Sequence, residues 1–227
     1  MMPINGTGGA PDAAAILVVA KAPVAGQVKT RLCPPCTPTE AALLADAALQ
    51  DTFEAILATP CARRFVALEG ERDQWIPEGF TVFPQVRGEL DRRLAAATVH
   101  VGGPVLVVGM DTPQLTASIL RGAFEALSAT DTDAVFGPAS DGGYWCIGLR
   151  APTADVFDGI PMSRTDTGAL QMRRLVELGL RVSLLEELTD VDTFADALTV
   201  GELIPQSRFA RVLQSVNVRL RDCAPTP

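Results

Sequence analysis

Three cations and a glycine crowd the stretch Lys21-Ala22-Pro23-Val24-Ala25-Gly26-Gln27-Val28-Lys29-Thr30-Arg31, and the apolar run Ile16-Leu17-Val18-Val19-Ala20 leads straight into it. Ligands of open α/β sheets sit in the crevice at the carboxyl ends of the strands. Lysine and arginine suit phosphate oxygens there, as point charge and as fork. In a chain of net charge −8, gathering Lys21, Lys29 and Arg31 in one loop needs an electrostatic reason, and a polyphosphate is the simplest. The plainer alternative is a solvated loop whose cations offset acidic neighbours.

Carboxylates supply the other half of such chemistry. Asp111 follows the apolar run Val105-Leu106-Val107-Val108 and precedes Thr112-Pro113. At a strand's carboxyl end it can hold a divalent cation against phosphate oxygens, since magnesium favours few protein carboxylates plus substrate phosphates. It can equally be a turn-forming aspartate. Asp190 and Asp192, two residues apart, share one face of an extended segment and so can share one ion, unless Asp192 only caps a helix starting near residue 193. In Asp141-Gly142-Gly143-Tyr144, the glycines permit close backbone approach to a ligand or positive φ. Asp141 can then bind an acceptor hydroxyl or act as base, or the segment is simply a tight turn.

The elements that must position these residues alternate between strand and helix patterns, which predicts an α/β fold with a mainly parallel sheet covered on both faces. Strands are expected at 15–20, 64–68, 80–83, 104–108, 134–136, 144–149 and 181–185. Thr37-Pro38-Thr39-Glu40 reads as a helix start with hydroxyl cap, early proline and glutamate at the third helical position. Further helices are expected over 90–101, behind a Thr116 cap, over 168–178 with Gly179 as its C-cap, and at 194–198 and 207–213. The reading is a flexible leader over 1–12, one domain over 13–214 and a loose tail over 215–227. Phe209, Val212 and Leu213 could serve a homodimer or the core equally.

Composition excludes several classes. The 227 residues hold 27 Asp and Glu against 19 Lys and Arg, which argues against broad nucleic-acid binding. No apolar run approaches the roughly 20 residues that span a bilayer, and the start of the chain does not read as a secretory signal. Five scattered cysteines suit reduced thiols and a cytoplasmic setting. Cys33-Pro34-Pro35-Cys36 has a CxxC spacing, but no second pair completes a zinc site. His100 is the single histidine and lacks an identifiable nucleophile partner for a triad. Neither a GxGxxG after the first strand nor a P-loop is present.

Together these segments resemble a bacterial family of glycosyltransferase-like proteins with the nucleotide-diphospho-sugar-transferase fold, often labelled arsenosugar-biosynthesis-type glycosyltransferase. The blocks that carry the resemblance are Lys21-Ala22-Pro23 with Gly26, Val28-Lys29-Thr30-Arg31-Leu32, Gly88-Glu89-Leu90 with Arg93, and Gly109-Met110-Asp111-Thr112-Pro113. They continue through Gly137-Pro138, Asp141-Gly142-Gly143-Tyr144, Ile147-Gly148-Leu149 and Asp190-Val191-Asp192-Thr193. The first block is also similar to phospholactate guanylyltransferases and to molybdopterin-type nucleotidylyltransferases. The resemblance implies a three-layer α-β-α GT-A (Rossmann-like) fold, a bound nucleotide or nucleotide-sugar and a Mg2+ or Mn2+ ion. By position, Lys21, Lys29 and Arg31 would meet phosphates, Asp111 would be the first metal ligand, and Asp190 or Asp192 the second. Gly26, Gly88, Gly142, Gly143 and Ser163 would line the nucleotide and substrate site. Three departures stand out: Met110 replaces a Ser, Glu89 replaces an Asp, and Met162-Ser163-Arg164-Thr165 replaces a Trp-Ser-Thr element near the acceptor.

The expectation is a metal-dependent transferase with Asp111 and Asp141 as catalytic residues. It would pass a glycosyl group from a nucleotide-sugar to a small-molecule acceptor. Transfer of a nucleotidylyl group from a nucleoside triphosphate, with release of pyrophosphate, stands beside it. Both reactions need a cation and oriented groups to stabilise developing oxygen charge.

Overall fold

The computed structural model describes residues 14–61, 63–71 and 75–222. The expected leader and residues 223–227 lie outside the described residues. Seven strands form one sheet: β1 (Ala15–Lys21), β2 (Arg63–Glu69), β3 (Thr81–Pro84), β4 (Val105–Val108), β5 (Ala134–Pro138), β6 (Tyr144–Leu149) and β7 (Val182–Leu184). Their order is β3-β2-β1-β4-β6-β5-β7. Every pair is parallel except those of β6, which runs antiparallel to β4 and β5. Six helices connect and cover the sheet: α1 (Pro38–Leu57), α2 (Leu90–Val101), α3 (Ala117–Ser128), α4 (Thr167–Glu177), α5 (Phe194–Leu203) and α6 (Arg208–Asp222).

The strands are near-continuous apolar runs because both sheet faces are buried. On β1, Ile16, Val18 and Ala20 pack with Leu49 and Phe53 of α1 and Leu120 of α3. Ala15 and Leu17, pointing the other way, join Leu94 of α2 and Leu175 of α4. The result is a three-layer α-β-α, Rossmann-like fold. Helix starts follow local chemistry. Thr37 and Glu40 form a reciprocal capping box at α1, and Thr116 caps α3. Thr193 with Asp196 does the same for α5, so Thr193, not Asp192, caps that helix.

A further layer forms at the C-terminus. Phe209, Leu213 and Val216 of α6 pack on Leu44 and Ala48, on the outer face of α1. Phe209 is 1% and Leu213 4% exposed, so these two belong to the core rather than to a free dimer face, and Val212 packs partly against the same cluster. Helix α6 continues to Asp222, past residue 214 where a loose tail was expected. The apolar stripe persists through Val216 and Leu220, and Arg219 binds Glu40 of α1 at 2.5 and 2.8 Å. No helix is long and apolar enough to cross a membrane, among the described residues.

Candidate functional site

The loop after β1 folds back so that its cations meet carboxylates carried by two other loops. Lys29 adopts a left-handed backbone (φ 50°, ψ 37°) just before a 3-10 turn over Thr30–Leu32. Buried Val28 and Leu32 anchor the chain on either side. The Lys29 ammonium lies 2.7 Å from Asp111 Oδ1 and 3.3 Å from Asp192 Oδ1, and it donates to the carbonyl of Val191. Its side chain is only 8% exposed. Burial disfavours its charge, yet the carboxylates of Asp111 and Asp192 outweigh that and hold its pKa above the ordinary lysine value. Arg31, 65% exposed, reaches Asp192 Oδ2 at 2.9 Å.

Backbone contacts fix the two acidic loops to each other. The Val191 N–H donates to the Asp111 carbonyl at 2.8 Å, and the Gln114 side-chain amide donates to Thr189 O at 2.7 Å. Val191 is buried, which leaves Asp190 and Asp192 on the side away from it, as the period of an extended segment requires. Asp190 Oδ1 is buried without a hydrogen-bond partner. Burial first, then the charges of Asp111 and Asp141, push its pKa up to about 7. Unpaired buried carboxyl oxygen is costly, and a divalent cation is the kind of group that would satisfy it. Among the described residues no three such side chains converge closely enough to hold a metal unaided. A magnesium-like ion asks for less, one or two carboxylates with phosphates and water, and the donor set fits that.

Lys21 belongs to a neighbouring cluster at the ends of β1 to β3. Glu69 accepts from Lys21 at 3.2 Å and from Arg93 at 2.5 Å, and these contacts overcome its desolvation to lower its pKa. Gln85 donates to the carbonyls of Ala20 and Ala67, both at 2.9 Å, and accepts from Arg93. Reasoning from sequence passed over Glu69 and Gln85; their only signal was polarity directly after an apolar strand. Met110 is buried, and its sulfur accepts the Lys21 N–H at 3.2 Å. Gly26 has φ 77° and faces open space. Gly88 (φ 127°) precedes α2, and Glu89 occupies the α2 N-cap position without a side-chain cap bond.

The remaining residues sit on the β5–β6 turn and the loop before α4. Asp141 is exposed and Oδ1 accepts the Gly143 N–H at 2.8 Å, a self-closing turn. Gly142 has φ 89°, and a Cβ there would lie 1.9 Å from Thr165 O. Gly142 O accepts the Gly168 N–H at 2.8 Å, and a Cβ on Gly168 would fall 2.6 Å from Gly143 O. The close approach that Gly142 and Gly168 allow is to the protein's own backbone, and Gly142 takes the positive φ that was one of the two roles expected of it. Ser163 is exposed with φ 59°, between Met162 and an Arg164 fork that clamps Asp166 at 2.8 and 3.0 Å. The structure thus joins Lys29, Arg31, Asp111 and Asp192 directly, keeps Asp190 and Asp141 within electrostatic reach, and holds Lys21 in a separate ion cluster. A groove of about 510 Å3 between α1, the start of α3 and the α5–α6 turn lies outside this crevice; its Arg208 is already paired with Asp51 and Glu54.

A family model described as "Uncharacterized protein conserved in bacteria (DUF2064)" matches residues 49–164, half of the chain. The chain belongs to that family. No curated protein matches the sequence. Among solved structures, one from Desulfovibrio desulfuricans G20 with a provisional assignment as a nucleotide-diphospho-sugar transferase is 26% identical. It superposes with a TM-score of 0.84 over 93% of this chain and 98% of that one. CMP:2-keto-3-deoxy-manno-octonic acid synthetase, solved with CTP, is 14% identical with a TM-score of 0.56, over 85% of this chain and 98% of that one. The latter likeness is one of fold. The seven-stranded, mostly parallel sheet is that of nucleotide-sugar transferases.

Proposed function

We propose that the chain is a metal-dependent transferase that uses a nucleotide-sugar and passes its glycosyl group to a small-molecule acceptor. The observation that carries the reading is the meeting of Lys29 and Arg31 with Asp111 and Asp192, beside an Asp190 oxygen that lacks a partner. Cations from one loop and acids from two others face a single crevice, as a diphosphate and a divalent ion require. The Desulfovibrio relative, alike over nearly the whole of both chains, supports the glycosyl version.

In this reading Asp111, with Asp190 or Asp192, holds a Mg2+ or Mn2+ ion, which when bound offsets charge on the leaving diphosphate. Lys29 and Arg31 bind phosphate oxygens beside these carboxylates, and Lys21 adds a third cation where Glu69 leaves it half-exposed. Gly26 lets the loop backbone approach the phosphates, and Gly88 shapes the turn beside the nucleoside. Asp141 faces the acceptor, orienting a hydroxyl or receiving its proton, with Gly143 and Ser163 on the same wall.

A nucleotidylyl reading rests on one observation of its own: three cations in the eleven residues from the end of the first strand onward suit the larger charge of a triphosphate. Product analysis separates the two. Purified protein with Mg2+ or Mn2+ is incubated with UDP-, GDP- and CDP-linked sugars and with the four nucleoside triphosphates. Free nucleoside diphosphate selects glycosyl transfer, and pyrophosphate selects nucleotidylyl transfer. Asp111→Ala should abolish either release. Unchanged release in a folded Asp111→Ala protein, or no melting shift with any nucleotide and metal, removes the transferase reading.

A further inference from the structure

The crevice cancels its own charge, and it does so with a residue this chain otherwise avoids. Of its 19 basic residues only Lys21 and Lys29 are lysines, one ending β1 and the other in the loop that follows. The two basic side chains are not equivalent. A guanidinium fork locks onto carboxylates, whereas an ammonium is a compact charge on a flexible stem that can turn from one set of oxygens to another. Lys29 places that ammonium against Asp111 and Asp192, the carboxylates read above as metal ligands. Its contact with Asp111 is a close ion pair, and Asp111 Oδ1 has no other polar partner.

We propose that Lys29 is a displaceable internal cation: it neutralises Asp111 and Asp192 in the empty crevice and turns to the substrate's phosphates when they enter with a divalent ion. The inference deepens the transferase reading and rests on it. Two obstacles follow from the geometry. A metal ion arriving alone has to compete with a tethered ammonium for the same oxygens. A phosphate group arriving alone finds that ammonium already held by two carboxylates, with Asp190 and Asp141 close by. Each ligand removes the obstacle of the other, so their binding is coupled, and by linkage the coupling is reciprocal. The backbone of Lys29 need not move, because the four-carbon stem supplies the reach.

The full chain, labelled with 15N-lysine, shows only two side-chain ammonium signals, and Lys29→Met assigns them. The probes are MgCl2 and inorganic pyrophosphate, which carries the diphosphate without choosing a base. Either one alone should leave the Lys29 signal in place, and both together should shift it. By calorimetry, Lys29→Met should bind Mn2+ alone about tenfold more tightly than wild type, and bind pyrophosphate in the presence of Mn2+ about tenfold more weakly. Arg31→Ala, which removes an exposed charge from Asp192, should show neither change in full. If Lys29→Met does not fold, Lys21→Met assigns the two signals instead, and the wild-type spectrum still decides. A Lys29 signal indifferent to bound metal and pyrophosphate overturns the inference alone, as does an Arg31→Ala effect equal to that of Lys29→Met. Binding of neither probe takes the transferase reading down with it.

Discussion

The two walls of the crevice are held by different forces. The wall built from the β1 loop, the Asp111 loop and the Asp190 loop is held by charge, through Lys29 and Arg31 on Asp111 and Asp192. The wall built from the β5–β6 turn and the loop before α4 is held by steric contact, with Gly142 against Thr165 and Gly168 against Gly143. Just behind it, the Trp145 ring lies where a Cβ on Gly137 would stand. Charge contacts answer to pH, salt and ligands; backbone contacts do not. The first wall is therefore the one whose contacts a charged ligand can exchange, and the second is the one whose contacts it leaves in place.

The largest expected effect tests the second wall. Gly142→Ala combines a positive φ with a Cβ only 1.9 Å from a backbone oxygen, and should cost about 3–5 kcal/mol in denaturant unfolding. Gly26→Ala on the other wall has a similar φ but open space around it, and should cost about 1 kcal/mol. Equal losses at the two positions would break the contrast.

Next in size is the buried charge. Lys29→Met leaves the Asp111 carboxylate without its counter-ion and Asp192 with Arg31 alone, and should destabilise by about 2–4 kcal/mol in low salt. Arg31→Ala, on the same Asp192 but exposed, should cost less than about 1 kcal/mol. A double variant, Lys29→Met with Asp192→Asn, should recover part of the loss. Strict additivity of the two single changes would mean that Lys29 and Asp192 do not act on each other.

The difference between the walls also marks what the sequence revealed. Local signals read well: the Thr37–Glu40 box, the Thr116 cap, the Gly179 stop (φ 73°) and the apolar strand runs all depend on neighbours within a few residues. The juxtaposition of Lys29 with Asp111 was expected only because both follow strands, and strand ends share one edge of an α/β sheet. Antiparallel β6 and the β4-β6-β5 order were not legible, since nothing in Tyr144–Leu149 states which neighbours it will pair with. The Gly142–Thr165 contact was hidden for the same reason: 23 residues separate the partners, and the glycine alone fits a turn or a ligand equally well. Helix α6 was cut short because its late residues are polar on one face, while the face that matters docks on a helix some 170 residues earlier.

The smallest effect is the most discriminating for the charged wall. In the folded protein the Asp190 carboxyl titrates at about 7, against an ordinary 3.8, because of burial and then the charges of Asp111 and Asp141. Between about pH 4 and pH 7 the folded state therefore keeps a proton that the unfolded chain has released, and stability falls as pH rises through that window. Asparagine cannot ionise, so Asp190→Asn should match wild type near pH 4 and exceed it at pH 8. Discounted for its partial exposure, the gain is about 1–2 kcal/mol, a few degrees in melting temperature. Added MgCl2 and pyrophosphate at pH 8 should narrow the gap by stabilising the wild type more than the variant, since the bound ion takes over the unpaired oxygen. Parallel pH curves for the two proteins would mean that Asp190 does not feel its acidic neighbours, and a variant less stable at pH 8 would mean that the carboxylate already has a partner there.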